Sequence, residues 1–259
     1  MTCYIEYIAF CNRGLIHKIN QDNFWCVGKF LNSENDGLEE AITGTVSVKT
    51  FPSFAVFDGM GGEQQGEMAA YIATTNFDVA YKDNPPKDIK QFLLDTCITM
   101  NEAICKHTEE QDIKSSGTTA AIIMFDKKHV HICNIGDSRI YQFRNNTLLQ
   151  LSHDHSATSI KSKKQPLSQC LGIPKTEFLI EPYVAKEIFY KRDKYLICSD
   201  GLTDMISDDD IAKIISINSD LSKCADILMQ KALESGGRDN ITIILCEIHK
   251  RWLNIFNFK

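Results

Sequence analysis

The sequence of 259 residues lacks any continuous apolar stretch of about 20 residues, the length that a helix needs to cross a bilayer. Residues 1–10 lack a basic start, so they do not resemble a secretion signal. Positive charge is not in excess either, because 28 lysines and arginines stand against 34 acidic residues, a formal net charge of −6. These absences argue against a membrane or nucleic-acid partner and favour a cytoplasmic protein.

The chain has ten cysteines but no CxxC pair, the spacing typical of metal and redox sites. Cys133, Cys198 and Cys246 each lie in an apolar run, where a free cysteine behaves as a small buried residue. A reducing compartment suits such cysteines. The motifs GxSxG, GxxxxGK[ST] and HExxH are absent as well, which leaves no sign of these competing chemistries.

The composition is that of an ordinary globular protein, with 43% hydrophobic and 24% charged residues. No repeat or linker divides the chain, so we expect one domain over residues 1–259. Short apolar runs predict strands, which include residues 4–10, 24–27, 54–57, 118–125, 130–135, 139–143, 178–180, 195–198 and 241–245. Helical spacing begins near Glu63, Ile89, Ser207 and Leu221. Because strand clusters alternate with pairs of helices, the pattern favours an α+β fold.

Aspartates stand at the ends of several predicted strands, most of them beside a glycine. They are Asp22, Asp58, Asp137, Asp200 and Asp239. A single Asp-Gly pair is most simply a turn, but one packed sheet system can bring several such carboxylates to one rim. Converging carboxylates repel one another unless cations lie between them, and magnesium and manganese take oxygen ligands of this kind. Two such ions activate a bridging water and hold a phosphoryl oxygen, so the pattern predicts metal-assisted hydrolysis of a phosphoester.

Six motifs resemble those of the type 2C metal-dependent serine/threonine protein phosphatases, in the family's order and in the form of the bacterial branch. They are Arg13-Gly14-Leu15 with Asn20-Gln21-Asp22, Phe57-Asp58-Gly59-Met60-Gly61-Gly62, Ser116-Gly117-Thr118-Thr119, Asn134-Ile135-Gly136-Asp137-Ser138-Arg139, Cys198-Ser199-Asp200-Gly201-Leu202 and Gly237-Arg238-Asp239-Asn240. The resemblance spans about residues 10–247, with a short flap at 153–176 and a C-terminal extension at 248–259. It implies an antiparallel β-sandwich flanked by pairs of helices, in four αββα layers.

The resemblance also implies two manganese or magnesium ions at one end of the sandwich. Asp58 would bridge them, and the Gly59 carbonyl would bind the second ion. Asp200 and Asp239 would hold the first ion, and Asp22 would hydrogen-bond metal-bound water. A third-metal site is implied as well, formed by Asp137, Asp200 and Asp204.

Three positions depart from the family pattern. Gln21 replaces a glutamate, so the second metal is expected to bind more weakly. His17 stands where the family has its phosphate-binding arginine, and a histidine does this only when protonated, with a larger contribution at lower pH. Arg13 or Lys18 are alternatives for that role. Met60 replaces a general-acid histidine of many eukaryotic members, which bacterial members commonly lack.

The predicted function is hydrolysis of phosphoserine and phosphothreonine in proteins by a water activated between the two ions. The alternative is a catalytically weak or dead relative that binds a kinase or phosphoprotein, an interpretation that Gln21 and His17 keep open. We expect phosphorylated proteins, substrates of a serine/threonine kinase, as partners, and a monomeric chain.

Four other histidines receive simpler interpretations. His153 and His155 lie in a polar segment and are typical of surface residues. His129 and His131 alternate along a predicted strand, which indicates half-exposed positions.

Overall fold

The computed structural model describes residues 2–61, 65–83, 86–156 and 166–251. Within these ranges the first sheet has six strands, in the order β3 (Ile42–Ser47), β1 (Thr2–Asn12), β12 (Ile241–Arg251), β11 (Lys194–Cys198), β8 (Arg139–Arg144) and β9 (Thr147–Gln150). The second sheet has the order β10 (Tyr183–Ile188), β7 (His129–Ile135), β6 (Ala120–Phe125), β4 (Ser53–Met60) and β2 (Asp22–Cys26), with β5 (Gly117–Thr118) paired to β4. The pairings within both sheets are antiparallel.

The described helices lie on the two outer faces of the sheets. They are α1 (Gly66–Asp83), α2 (Ile89–Glu110), α3 (Asp200–Thr203), α4 (Asp208–Ile217) and α5 (Leu221–Glu234). Side-chain oxygens cap three of them, as the sequence predicts for Ser207, which accepts from the Asp210 N–H at 3.2 Å. None of the helices in the described ranges combines the length and apolar character that crossing a bilayer requires.

Alternation along the central strands divides the apolar side chains into three cores. In β4, Val56 points between the sheets while Phe57 points toward α1 and α2. In β12, Ile244 points between the sheets and Leu245 points toward α4 and α5. Because both faces of these strands are buried, they read as continuous apolar runs. Three cores between four layers confirm the predicted αββα sandwich of the α+β class.

Two strand predictions differ from the structure. Residues 178–180 are not a strand: Leu179 is 67% exposed, and the Phe178 N–H bonds to Pro174 in a turn. Strand β10 starts only after Pro182, which has no N–H to offer a ladder. In the other direction, β3 forms in a segment whose polar residues predict no strand, because it pairs with the edge of β1.

The boundaries of the flap and of the extension also change. Strand β12 continues to Arg251 and pairs with Thr2–Ile5, so residues 248–251 of the predicted extension belong to the sheet. Residues 252–259 lie outside the described residues, as do residues 157–165 of the predicted flap.

Candidate active site

The five strand-end aspartates meet at one end of the sandwich. Asp22 begins β2 and lies directly opposite Asp58 in β4. Asp137 follows the end of β7 in the same sheet. Asp200 follows the end of β11, and Asp239 precedes the start of β12, in the other sheet. The antiparallel order places all of these ends at the same rim, so the predicted convergence is present and draws on both sheets.

Asp58 is the centre of this carboxylate cluster. Burial raises the pKa of its carboxyl well above the ordinary value, and repulsion from the other four aspartates adds to the shift. They are, in decreasing order of effect, Asp22, Asp200, Asp239 and Asp137. Like charges directly opposite on paired strands are destabilising. The fold therefore concentrates negative charge that a cation would neutralise.

Asp22 joins the two sheets through hydroxyl groups. Its Oδ2 accepts hydrogen bonds from Ser199 Oγ at 2.7 Å and from Thr242 Oγ1 at 2.7 Å. Burial raises its pKa to about 7, opposed by these two hydrogen bonds and assisted by repulsion from Asp239 and Asp200. Its Oδ1 is buried and has no hydrogen-bond partner among the described residues. A buried carboxylate oxygen without a hydrogen-bond partner fits a site for cations and their bound water.

The backbone at Asp58 is held on both sides. Thr119 N–H donates to the Asp58 carbonyl at 2.9 Å, and the Asp58 N–H donates to Thr119 Oγ1 at 3.1 Å. Gly59 N–H donates to the Gln21 carbonyl at 3.1 Å. A Cβ at Gly59 would lie 2.1 Å from the Gly66 carbonyl oxygen, so only glycine permits this approach of β4 to the start of α1.

A second close approach joins Gly201 and Asn240, the residues that follow Asp200 and Asp239 in the chain. A Cβ at Gly201 would lie 2.0 Å from the Asn240 carbonyl oxygen, so α3 packs directly on the chain that enters β12. Asp204 ends α3 and donates its N–H to the Asp200 carbonyl at 2.7 Å. Its position one turn after Asp200 is compatible with the third-metal site that the resemblance implies.

The basic residues at the rim differ in what they contact. His17 lies beside the carboxylate cluster, with Nε2 3.4 Å from Asp239 Oδ1. Arg13 forms an ion pair with Asp36 at 2.5 Å, with the two side chains 41% and 81% exposed. Of the candidates for phosphate binding, His17 is therefore the one that the structure places against a cluster aspartate.

Two side chains near the cluster are given no role at the site by the sequence prediction, which treats His155 as a surface residue. Gln21 Nε2 donates to Glu67 Oε2 at 3.1 Å, which brings a carboxylate to the position where the family glutamate is replaced. The sequence feature that could have indicated this contact is Glu67, an acidic residue in the first turn of α1. His155 is the other: its Nδ1 accepts from the Gly136 N–H at 3.2 Å, next to Asp137. Burial lowers the pKa of His155, which suits an accepting neutral ring.

Comparison with known proteins agrees with this geometry. The family described as Protein phosphatase 2C matches residues 38–235. The chain belongs to the protein phosphatase 2C family. It is 33% identical over 256 residues to the serine/threonine phosphatase Stp of Listeria welshimeri, an alignment that covers 91% of this chain and 93% of that protein. These matches confirm the predicted family and the predicted serine/threonine protein phosphatase activity.

A second phosphatase of the family resembles this chain in both sequence and three-dimensional structure. The chain is 27% identical over 259 residues to PstP of Mycobacterium tuberculosis, covering 96% of this chain and 46% of that protein. The crystal structure of the PstP catalytic domain, in complex with two manganese ions, superimposes with a TM-score of 0.77 at 27% identity and covers 96% of this chain and all of that domain. The likeness extends over nearly the whole chain.

Proposed function

We propose that the five-aspartate cluster is the metal centre of a phosphatase that removes phosphate from phosphoserine and phosphothreonine in proteins. The observation that carries this assignment is the partly buried Asp58, surrounded by four other carboxylates contributed from both sheets. Family membership supplies the reaction class, and the two manganese ions of the PstP domain support manganese or magnesium as the cofactor.

The donor set suits two hard divalent cations. Asp58 would bridge the pair, with the Gly59 carbonyl on the second ion and Asp200 and Asp239 on the first. Asp137, Asp200 and Asp204 would complete a third site. All of these donors are oxygens, which magnesium and manganese prefer over nitrogen or sulfur. Bound there, the ions would neutralise the carboxylates and lower the pKa of a water toward neutrality.

The surrounding side chains would orient the reacting groups. Ser199 and Thr242 hold one oxygen of Asp22 and leave Oδ1 to accept a hydrogen bond from the attacking water. His17, when protonated, would bind an oxygen of the substrate phosphate, since it already lies at Asp239. Catalysis would then rest on positioning and charge neutralisation, as in other phosphoryl transfers.

A cavity beside the cluster supports a protein substrate. It has a volume of about 780 Å³ and begins at Met60 and Gly61, immediately after the proposed ligands. The end of α2 and the segment around Pro174 form its other walls, with Cys105, Thr108 and Glu177 among the lining residues. This space would receive residues that flank the phosphorylated side chain.

The experiment that tests this function is hydrolysis of a phosphothreonine peptide and of a small aryl phosphate, with manganese, with magnesium and with chelator. We expect turnover of both substrates with either metal and none with chelator. A folded protein that binds manganese and the phosphopeptide but turns over neither substrate between pH 6 and 9 would instead favour the binding-module alternative.

The proposal extends to the cellular setting. The substrates would be proteins phosphorylated by a serine/threonine kinase, and the enzyme would act as a monomer in the cytoplasm. Light scattering of the purified chain tests the monomer, and phosphoprotein accumulation in cells that lack the enzyme tests the substrate class.

Replacing Gln21 by glutamate is expected to lower the manganese concentration needed for half-maximal activity by several-fold. A carboxylate adds charge beside the second ion and stands near Glu67, whose own carboxylate currently accepts from Gln21. Manganese titrations with an aryl phosphate measure the change, and Gln230→Glu on the exposed side of α5 is the matched control. An unchanged or higher half-activating concentration would place Gln21 outside the metal shell.

A further inference from the structure

A second cluster of possible metal ligands lies at the β6–β7 hairpin. Asp126 follows β6, and His129 and His131 are the first and third residues of β7. His129 Nδ1 is 3.1 Å from Asp126 Oδ2, and His131 Nε2 is 3.0 Å from the same oxygen. One ligand atom from each of the three residues lies within 4.8 Å of the others. Because His129 and His131 are two apart on a strand, their side chains share a face.

This cluster is separate from the phosphatase centre. Strand β7 carries the histidines at its beginning, and Asp137 follows its end. From His131 to Asp137 the chain advances six residues, which at ~3.3 Å per residue places the hairpin cluster about 20 Å from the carboxylate rim. An ion at the hairpin would therefore contact none of the proposed catalytic ligands.

The turn itself orients the carboxylate. Asp126 Oδ1 accepts the N–H groups of Lys128 at 2.7 Å and His129 at 2.6 Å and lies 3.2 Å from His129 Nδ1, while Oδ2 contacts both imidazoles. These hydrogen bonds from the turn fix the carboxylate beside the two imidazoles.

We propose that Asp126, His129 and His131 form a binding site for a zinc-class divalent cation. Two imidazole nitrogens and one carboxylate oxygen are a donor set that zinc takes with bonds of about 2.0–2.1 Å, leaving a fourth position to water. A tetrahedron with such bonds has edges of about 3.3 Å. The nitrogen–oxygen separations of 3.1 and 3.0 Å are close to that edge, and the ligand atoms of the two histidines lie within 4.8 Å of each other.

Protonation and access also suit an exchangeable ion. Neutral imidazole binds a metal through the nitrogen that carries no proton, so a bound ion requires the His129 proton to be on Nε2 and the His131 proton to be on Nδ1. The His131 side chain is 9% exposed, whereas those of Asp126 and His129 are 24% and 27% exposed. His131 therefore forms the buried side of the site, and Asp126 and His129 form the side that solvent can reach.

Zinc binding should stabilise the fold, because the three ligands come together only in the folded hairpin. The experiment titrates the full chain with zinc in saturating magnesium, with free zinc followed by a competing chromophoric chelator. Wild type should bind one zinc equivalent more than His129→Gln or His131→Gln, or bind that equivalent at least about tenfold more tightly. The zinc-induced rise in Tm should also be smaller in both variants.

His107→Gln provides the histidine-matched control, since His107 lies on α2 and contacts Gln65 rather than this cluster. Manganese-dependent phosphatase activity reports whether each variant is folded, and the partly exposed His129 keeps the test valid if His131→Gln does not fold. Equal zinc stoichiometry, affinity and Tm response in wild type and His129→Gln would overturn the proposal.

Discussion

Replacing Asp58 by asparagine is expected to lower phosphatase activity by at least about a thousandfold. Metal ions supply several kcal/mol of transition-state charge stabilisation, and about 4 kcal/mol corresponds to a thousandfold in rate. Asparagine keeps the shape of the side chain but removes the charge that bridges the proposed ions. Initial rates on an aryl phosphate in saturating manganese measure the loss.

The same substitution should leave the metal-free fold intact or raise its Tm. Asp58 is partly buried and has four like-charged neighbours, so a neutral amide relieves repulsion. Asp112→Asn on the exposed turn after α2 is the matched control and should change neither activity nor Tm. Retained turnover in Asp58→Asn, or a clear fall in its metal-free Tm, would contradict the assignment of Asp58.

Gly59→Ala should damage both stability and activity. The new Cβ would meet the Gly66 carbonyl oxygen at 2.1 Å and the Gln21 carbonyl oxygen at 2.5 Å, and backbone atoms cannot move away cheaply. Overpacking of this kind costs about 1–3 kcal/mol. Because Asp58 is the preceding residue, a shift of about 1 Å would also lower kcat by roughly a hundredfold.

Gly28→Ala separates backbone strain from crowding at the site. Gly28 has φ +84° but nothing within 4 Å of an added Cβ, so alanine there costs about 1–2 kcal/mol without touching the cluster. Urea unfolding and kcat, measured for both variants, test the comparison. If Gly59→Ala keeps wild-type kcat, or if both variants lose activity equally, the close approach at Gly59 does not position Asp58.

The carboxylate cluster could be predicted from the sequence because each of its aspartates is tied to a strand end. Apolar runs fix the strands, and antiparallel pairing then places their ends at one rim, as observed for Asp22 opposite Asp58. The four-layer fold was predictable for a related reason. Continuous apolar strands such as β4 need cover on both faces, and pairs of amphipathic helices provide it.

Contacts between distant side chains were not predictable in the same way. The pairing of Gln21 with Glu67 depends on how α1 starts against β2, and nothing in the local spacing encodes it. The pattern predicts half-exposed positions for His129 and His131, which is wrong for His131 because it is buried at 7% exposure. The pattern places both on one face but does not reveal that the turn directs Asp126 toward them. The strand prediction for residues 178–180 is wrong for a different reason. This apolar run is exposed and lies near a proline, which cannot donate a ladder hydrogen bond.

The most direct test of the central claim is anomalous diffraction at the manganese edge from crystals of this chain grown with manganese. We expect two strong peaks within coordination distance of Asp58, with Asp200 and Asp239 on one of them. Crystals of Asp58→Asn should lose at least one peak. Manganese peaks elsewhere on the molecule, with none at the five-aspartate cluster, would contradict the account.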